Sequence, residues 1–167
     1  MASSPEQRLT RLAHEHSTAV ANYLRRRLYP LSASDLDDLV DEVLVVCWRR
    51  LDSIPEDAEL PWMIGVARNV LSNARRSQNR RSAFVASLSP SDDDASAEDY
   101  VVADTAIRDA LTALSDSDRE IILLHFWDGL STEQLSQVLS ITTNAAAVRL
   151  SRAQGRFKDF MENAENV

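Results

Sequence analysis

Helix-breaking residues are scarce in this chain, which has only three glycines and five prolines among its 167 residues. In the long stretches between them, apolar residues recur at spacings of three and four. That spacing places them on one face of an α-helix, whereas a half-buried strand needs strict alternation of apolar and polar residues. The sequence therefore predicts an all-α fold.

Three helices are predicted in the first half of the chain, each bounded by a proline or by capping residues. Pro30 ends the first of them, because proline cannot continue a helix. The predicted bounds are Glu6–Tyr29, a cap at residues 32–34 followed by a helix through Leu51, and a third helix from about Pro61 to about Arg81.

A segment rich in Ser, Asp and Ala follows at residues 82–102 and shows little periodicity, which is typical of a flexible linker. Residues 91–104 also hold six acids and no base. We therefore predict two small helical domains, at residues 1–82 and 103–167, joined by a flexible acidic linker at 83–102.

Four further helices are predicted after the linker, and serine or threonine caps mark where they begin. Ser131 and Gln134 fit a capping box, in which each side chain accepts a hydrogen bond from the other residue's free backbone N–H. The expected N-caps are Ser115, Ser131 and Thr143. The predicted bounds are Asp104–Leu114, Asp116–Trp127, Ser131–Leu139 and Thr143–Met161.

The distribution of charge is more informative than the formal net charge of −8. A negative balance argues against nucleic acid, because phosphate contacts need Lys and Arg. Residues 68–81, however, hold five arginines and no acid. These arginines fit either phosphate contacts or a favourable interaction with the end of the helix dipole.

The sequence gives no sign of a membrane or secreted protein. No run approaches the roughly 18 apolar residues of a membrane span, and the N-terminus lacks the apolar stretch of a secretory signal. We expect a cytoplasmic protein without membrane insertion. Cys47 lies in an apolar helical pattern, which predicts a buried free thiol.

No enzyme, metal site or cofactor is predicted. His14, His16 and His125 are far apart in sequence and lack metal-ligand spacing. The adjacent acids at 92–94 lack a ligand cage. No nucleophile stands beside a base, and no Gly-rich phosphate loop is present.

The sharpest local signal is a helix-turn-helix spacing, formed by a short helix TEQLSQVL, a connection SITT and a longer helix NAAAVRLSRAQGRF. A recognition helix presents small or polar residues to base edges and basic residues to phosphates. Asn144 and the alanines at 145–147 supply the first property. The predicted phosphate contacts are Arg149, Arg152 and Arg156.

The same helix has a face that fits a hydrophobic core. Its predicted buried residues are Val148, Leu150, Phe157 and Phe160. A helical hairpin that binds no DNA would share this pattern, so the spacing alone does not decide the function.

Two separate stretches resemble extracytoplasmic-function sigma factors, the promoter-recognition subunits of bacterial RNA polymerase. ALTALSDSDREIILLHFWDGLSTEQLSQVLSITTNAAAVRLSRAQGRF is similar to domain four of that family nearly throughout. DLDDLVDEVLVVCWRRLDSI and PWMIGVARNVLSNARR resemble the two central helices of domain two. The matches stand in the family's order and cover about residues 5–161.

The resemblance implies three sets of contacting residues. In domain two, one set faces the clamp of the largest subunit of core RNA polymerase, and another captures the melted −10 element of promoter DNA. In domain four, which would contact the flap of the second-largest subunit, a third set reads the −35 element. The implied residues are Asp38, Glu42 and Arg49 for the polymerase; Trp62, Arg68, Asn69, Ser72, Arg75 and Arg76 for the −10 element; and Ser131, Thr143, Asn144, Ala145, Ala147, Arg149, Arg152 and Arg156 for the −35 element.

The loop at residues 52–60 corresponds to the family's pocket for a flipped-out base and is unusually acidic here. Gly65 and Gln154 stand where the family often has basic residues, which predicts weak phosphate affinity. The resemblance leaves room for an anti-sigma factor as a further partner, although no residue of the sequence identifies one.

The expected function is therefore that of a sigma factor, which binds core polymerase and directs promoter recognition and DNA melting without catalysis of its own. A stand-alone helix-turn-helix regulator would explain the C-terminal pattern but not residues 34–81. A protein-only adaptor would fit the acidic balance. An enzyme is the class that the residues support least.

Overall fold

The computed structural model describes residues 4–88 and 104–165, and these residues form α-helices and two short 3-10 turns without any strand. The predicted all-α fold is confirmed. The chain divides into two compact units, unit 1 (Met1–Asp99) and unit 2 (Tyr100–Val167). The helices are α1 (Pro5–Arg25), α2 (Leu36–Arg49), α3 (Glu59–Leu88), α4 (Thr105–Ala113), α5 (Asp116–Phe126), α6 (Thr132–Leu139) and α7 (Thr143–Glu165).

In unit 1, α1, α2 and α3 pack against one another around an apolar core. Cys47 lies fully inside this core, as predicted, and its burial raises the pKa of the thiol to about 11. The other buried side chains include Leu12, Val20, Leu24, Val43, Met63, Ala67 and Leu71.

The predicted end of the first helix is wrong, because α1 stops at Arg25 rather than at Tyr29. The turn that follows is held by its own Arg27 and by Arg75 of α3. Arg27 is buried, and its guanidinium lies 4.0 Å from the centroid of the Tyr23 ring. Arg75 of α3 donates hydrogen bonds to the backbone carbonyls of Arg27 and Tyr29. A tertiary contact therefore ends this helix before Pro30 could do so.

The third helix begins close to its predicted start, but its predicted end is wrong. It begins at Glu59, two residues before Pro61, and continues past Arg81 to Leu88. Residues 83–88, which were assigned to the linker, are helical because they contain no glycine or proline that would stop the helix. The rest of the predicted linker, with its acids, lies outside the described residues, and the domain bounds stay a prediction.

In unit 2, α4, α5, α6 and α7 enclose a second core. The predicted helices are found within one or two residues at each end, except that α7 extends four residues beyond Met161. The buried side chains include Leu111, Ile121, Ile122, Leu124, Leu130, Leu135, Ala146, Leu150 and Ala153.

The helix-turn-helix formed by α6 and α7 depends on local capping. Ser131 and Gln134 form the predicted capping box, with hydrogen bonds of 3.1 Å and 2.9 Å. Ser140 ends α6 in the left-handed backbone region, at a φ of 55°. The prediction of Thr143 as the cap of α7 is wrong by one residue: the Thr142 hydroxyl accepts a hydrogen bond of 3.1 Å from the backbone N–H of Ala145.

Candidate nucleic-acid and partner surfaces

The outer side of α3 carries most of the residues predicted to hold the −10 element. Arg68, Asn69, Ser72 and Arg76 are all exposed. They recur at helical spacing, so the structure brings them onto one side of the helix. Arg76 reaches back toward Ser72, with 3.4 Å between Nη2 and Oγ. This side of α3 is accessible to a ligand along about two helical turns.

Arg75, predicted to belong to the same set, lies differently. Its side chain is only partly exposed, and its Nε donates a 3.0 Å hydrogen bond to the carbonyl of Tyr29. A second bond joins the guanidinium to the carbonyl of Arg27. Arg75 therefore holds the turn after α1, a role that the sequence spacing did not indicate.

Trp62 lies in the first turn of α3 and is partly exposed. The guanidinium of Arg50 stands 5.8 Å from the centroid of its ring, within range of a cation–π contact. Arg8 of α1 fixes the chain just before this helix, with hydrogen bonds of 2.9 Å to the Leu51 carbonyl and 2.7 Å to the Ile54 carbonyl. The predicted base pocket at residues 52–60 is thus anchored from α1.

A cluster of charged groups lies where that pocket joins α3. Glu59 is 8% exposed, and Arg11 donates to both of its carboxylate oxygens, at 2.6 Å and 2.9 Å. The guanidinium of Arg11 holds the pKa of Glu59 below its ordinary value, and Glu59 in turn raises the pKa of Arg11. His16 adds a weaker contact of 3.4 Å. This ion pair between the buried Glu59 and the exposed Arg11 connects the start of α3 to α1.

The same cluster contains a set of possible metal ligands that sequence spacing missed. Ligand atoms of Glu15, His16 and Glu59 lie within 4.8 Å of one another. Arg11, however, donates to both carboxylates, at 2.9 Å to Glu15 and at the distances given above to Glu59. A positive charge already stands between the acids, so the geometry is that of an ion-pair network.

The predicted polymerase contacts Asp38, Glu42 and Arg49 are exposed on α2. Two large apolar residues that were not predicted, Val45 and Trp48, accompany them, and each is 45% exposed. Positions 38, 42, 45 and 49 follow helical spacing and share one face. The apolar run VLVVCW could have predicted these two exposed residues, because it contains more apolar side chains than the one buried face of a helix can hold.

The exposed face of α7 contains Asn144, Ala147, Val148, Ser151 and Arg152. The buried face consists of Ala146, Leu150 and Ala153. The prediction that Val148 belongs to the core is therefore wrong, because Ala146 occupies the core-facing position in that turn. Phe160 was also placed in the core and is exposed instead, whereas Leu150 is buried as predicted.

The three arginines of α7 are not equivalent. Arg149 donates to the Ser117 hydroxyl, and Arg156 forms an ion pair of 2.7 Å with Asp118, so both are bonded to the first turn of α5. Arg152 is exposed on the face described above. Of the three, Arg152 is the one that shares the exposed face with Asn144 and Val148.

The remaining residues predicted for this surface lie around the turn. Asn144 is exposed, and Ala145 is partly exposed at the start of α7. Ser131 caps α6, and the Thr143 hydroxyl lies 3.4 Å from that of Ser136. These residues mark the first turns of both helices, where free N–H groups and helix dipoles favour phosphate.

One structural residue of unit 2 was missed altogether. Arg119 is buried, and its Nε donates a 2.7 Å hydrogen bond to the carbonyl of Leu111. Its Nη2 donates to the carbonyls of Thr112 and Leu114, at 3.0 Å and 2.9 Å. Arg119 thus satisfies the last carbonyls of α4 and fixes the turn before α5.

The fold is that of an all-helical protein with a helix-turn-helix in its second unit, an arrangement that is typical of DNA-binding proteins. Family models agree: the sigma-70 region 2 model matches residues 12–81, and the sigma-70 region 4 model matches residues 104–154. No helix among the described residues has the length and apolar character to cross a membrane.

Individual relatives point the same way. The chain is 30% identical to the ECF RNA polymerase sigma factor SigD of Mycobacterium tuberculosis over 152 residues, or 84% of this chain and 70% of SigD. It is 27% identical over 132 residues to the probable RNA polymerase sigma factor RfaY of Xanthomonas campestris, covering 74% of this chain and 33% of RfaY. The fold is similar, with a TM-score of 0.59 and 22% identity, to RpoE of Bartonella quintana, solved in complex with the anti-sigma factor NepR; the match covers 94% of this chain and 96% of RpoE.

The chain belongs to the family of extracytoplasmic-function sigma factors of bacterial RNA polymerase. It is thus a factor that directs transcription initiation.

Proposed function

We propose that the two units divide the work of promoter recognition between them. Unit 1 binds core polymerase through α2 and captures the unpaired −10 bases along α3, while α7 of unit 2 enters the major groove at the −35 element. The observation that carries this proposal is that α2, α3 and α7 each expose several of their predicted contact residues on one side of the helix.

The core-binding role of α2 is supported by the composition of its exposed face. Val45 lies among the charged residues Asp38, Glu42 and Arg49, and Trp48 extends this apolar surface at the edge of the same face. Interfaces between proteins characteristically have an apolar centre with a polar rim, and exposed aromatic residues often dominate the binding energy.

Capture of single-stranded DNA fits the outer side of α3. Asn69 offers an amide that can donate to and accept from a base edge, and Arg68 and Arg76 supply positive charge for the backbone. Contacts between the protein and the extruded bases supply binding energy that offsets the cost of unpairing and unstacking those bases. Melting by this route therefore needs no nucleotide hydrolysis by this subunit. We propose that the chain catalyses no reaction itself and works in the cytoplasm, where core polymerase and promoter DNA meet.

An anti-sigma factor is a further proposed partner. The support is that the similar RpoE of Bartonella quintana was solved together with NepR. The exposed face of α2 is a surface that such a protein could share with core polymerase, because it has the apolar centre that interfaces need. A partner of this kind would compete with core polymerase for the chain, which a binding titration with both proteins would reveal.

The decisive experiment is promoter-specific run-off transcription with purified core polymerase and the full chain. Asn69→Ala should lower the yield of open complexes about tenfold, since a base contact is worth roughly 1–3 kcal/mol. Asn79→Ala is the matched control, because Asn79 is an exposed asparagine of the same helix outside the predicted set. Permanganate reactivity of thymines in the melted region measures opening directly.

Core binding needs a separate test, because a stand-alone regulator would not bind polymerase. Trp48→Ala should weaken association of the full chain with core polymerase at least tenfold, the loss expected when an aromatic residue that a partner covers is truncated. Asn79→Ala again serves as the control. Equal affinity of the wild type and Trp48→Ala would contradict the role of α2, and no association at all would contradict the proposed function.

A further inference from the structure

Val148 stands out on the surface of α7, because it is a branched apolar side chain among small and polar neighbours. It is 40% exposed. Asn144 precedes it by one helical turn and Arg152 follows it by one turn, and both are exposed. Val148 thus lies at the centre of the face that would meet the DNA.

The position of this residue follows from the packing of the helix. Ala146, Leu150 and Ala153 fill the contacts with the rest of unit 2 and are buried. The side chain of residue 148 must then point away from the core. Exposure of a valine side chain to water is unfavourable. A ligand that covers it lowers the free energy by about 0.8 kcal/mol for each methyl or methylene group that becomes buried.

The major groove offers one apolar group, the C5-methyl of thymine. The other groups that the base pairs present there are hydrogen-bond donors and acceptors, which a valine cannot satisfy. Neighbouring residues 147 and 151 are an alanine and a serine, so bulky side chains do not keep the valine from the floor of the groove. A methyl-to-methyl contact is therefore the recognition chemistry that residue 148 can supply.

We infer that Val148 is a specificity-determining residue that reads the methyl group of one thymine in the −35 element. This inference rests on the proposed function, and it assigns to one side chain a single base preference. Asn144 contributes hydrogen bonds one helical turn before Val148, and Arg152 contributes charge one turn after it. Val148 selects thymine over cytosine at the base pair that lies between these two contacts.

The test uses holoenzyme assembled from core polymerase and the full chain, with duplexes randomised across the −35 region and selected by binding. In the selected duplexes, each thymine is replaced in turn by deoxyuridine, which lacks only the C5-methyl group. At one position the wild-type holoenzyme should bind the deoxyuridine duplex about three- to fivefold more weakly, the effect of one buried methyl group.

Val148→Ala should abolish that difference, and Val148→Thr, which keeps a methyl group in place, should retain part of it. Val85→Ala is the matched control, because it removes the same atoms from an exposed valine of α3 and should leave the deoxyuridine effect unchanged. If the deoxyuridine effect is absent, or equal in wild type and Val148→Ala, the inference is overturned while the proposed function stands. If the holoenzyme enriches no −35 sequence, both are overturned.

Discussion

Helices α3 and α7 carry arginines at similar spacings, but the two units bond them differently. On α3, Arg75 donates to backbone carbonyls of the turn after α1, whereas its neighbour Arg76 reaches the hydroxyl of Ser72 at 3.4 Å. On α7, two arginines are bonded to side chains of α5, and Arg152 lies on the exposed face.

Spacing thus identifies the residues that share a helix face, but not the residues whose side chains already hold the fold together. In each helix an arginine that holds the structure stands close to one that is available to a ligand. In unit 1, Arg75 donates its hydrogen bonds to backbone carbonyls. Carbonyls do not titrate, so a change of pH does not break these bonds. Unit 2 satisfies Arg156 with an exposed ion pair, which contributes little to stability and is weakened by salt.

The largest effect is expected from the neighbouring pair on α3. Arg75→Ala should lower the free energy of unfolding of the full chain by about 2 kcal/mol, because two carbonyls of the turn lose a charged donor. Arg76→Ala should change it by less than about 0.5 kcal/mol. Urea denaturation measures both. Run-off transcription under native conditions should show the reverse order, with Arg76→Ala as the poorer variant.

Equal loss of stability in the two variants would remove the distinction between a structural and an available arginine on α3. Arg76→Lys is a useful third variant. It keeps the charge for the DNA backbone, and it should restore most of the transcription lost in Arg76→Ala.

A second prediction concerns the ion pair between Arg11 and the buried Glu59 in unit 1. Glu59→Gln should lower the free energy of unfolding at pH 7 by about 1 to 2 kcal/mol, toward the lower figure because Arg11 is largely exposed and its charge is screened. The pKa of Glu59 lies below its ordinary value of 4.5 in the folded chain. Its stabilising contribution is therefore complete above about pH 4.5 and is lost as pH falls through the lowered pKa.

The stabilities of wild type and Glu59→Gln should accordingly converge below pH 4.5. Urea denaturation at pH 7, 5 and 3.5 measures the gap. The matched control is Glu15→Gln, an exposed acid beside the same arginine, which should lower stability much less at pH 7. A gap that is independent of pH would show that the carboxylate charge of Glu59 contributes nothing to the fold.

A third prediction separates the arginines of α7. Arg152→Ala should weaken holoenzyme binding to a −35 duplex about fivefold and reduce the slope of log affinity against log salt by about 1, as expected for one lost phosphate contact. Arg149→Ala should leave the slope nearly unchanged, because its guanidinium is held by Ser117. Fluorescence anisotropy over a salt series measures both slopes. The reverse result would place the DNA on the side of α7 that faces α5.

The smallest effects concern two residues of unit 2 with positive φ. Ser140 has a φ of 55° and Gly129 a φ of 72°, a region that costs a residue with a Cβ about 1 kcal/mol. Ser140→Gly should therefore stabilise the chain by up to about 1 kcal/mol. Gly129→Ala should destabilise it by a similar amount, since no atom lies within 4 Å of the added Cβ and only the backbone strain counts. Thermal unfolding checks both signs.

The parts of the fold that sequence reasoning predicted depend on interactions between residues close along the chain. The capping box of Ser131 and Gln134, the cap at Ser115 and the bounds of α5 and α6 all follow from bonds within about four residues. The exposed positions of Asp38, Asn69 and Asn144 follow from helical periodicity. Such features can be predicted because both interacting residues lie within the same short stretch of sequence.

The missed features depend on contacts between distant residues. Arg75 lies 46 residues from Tyr29, so nothing near Tyr29 indicates that α1 ends early. Glu59 lies 48 residues from Arg11, and its burial cannot be inferred from an acidic loop. Val148 was placed in the core because apolar residues usually are. Only the packing of Ala146 in that turn reveals that the valine points outward.

Cys47 has a practical consequence. The chain has a single thiol, fully enclosed by the core of unit 1, and burial raises its pKa to about 11. Alkylating reagents and oxidants attack thiolates, so native protein should resist both at neutral pH. The rate at which this cysteine is modified therefore measures how often unit 1 opens. The measurement needs no engineered label and does not respond to opening elsewhere in the chain.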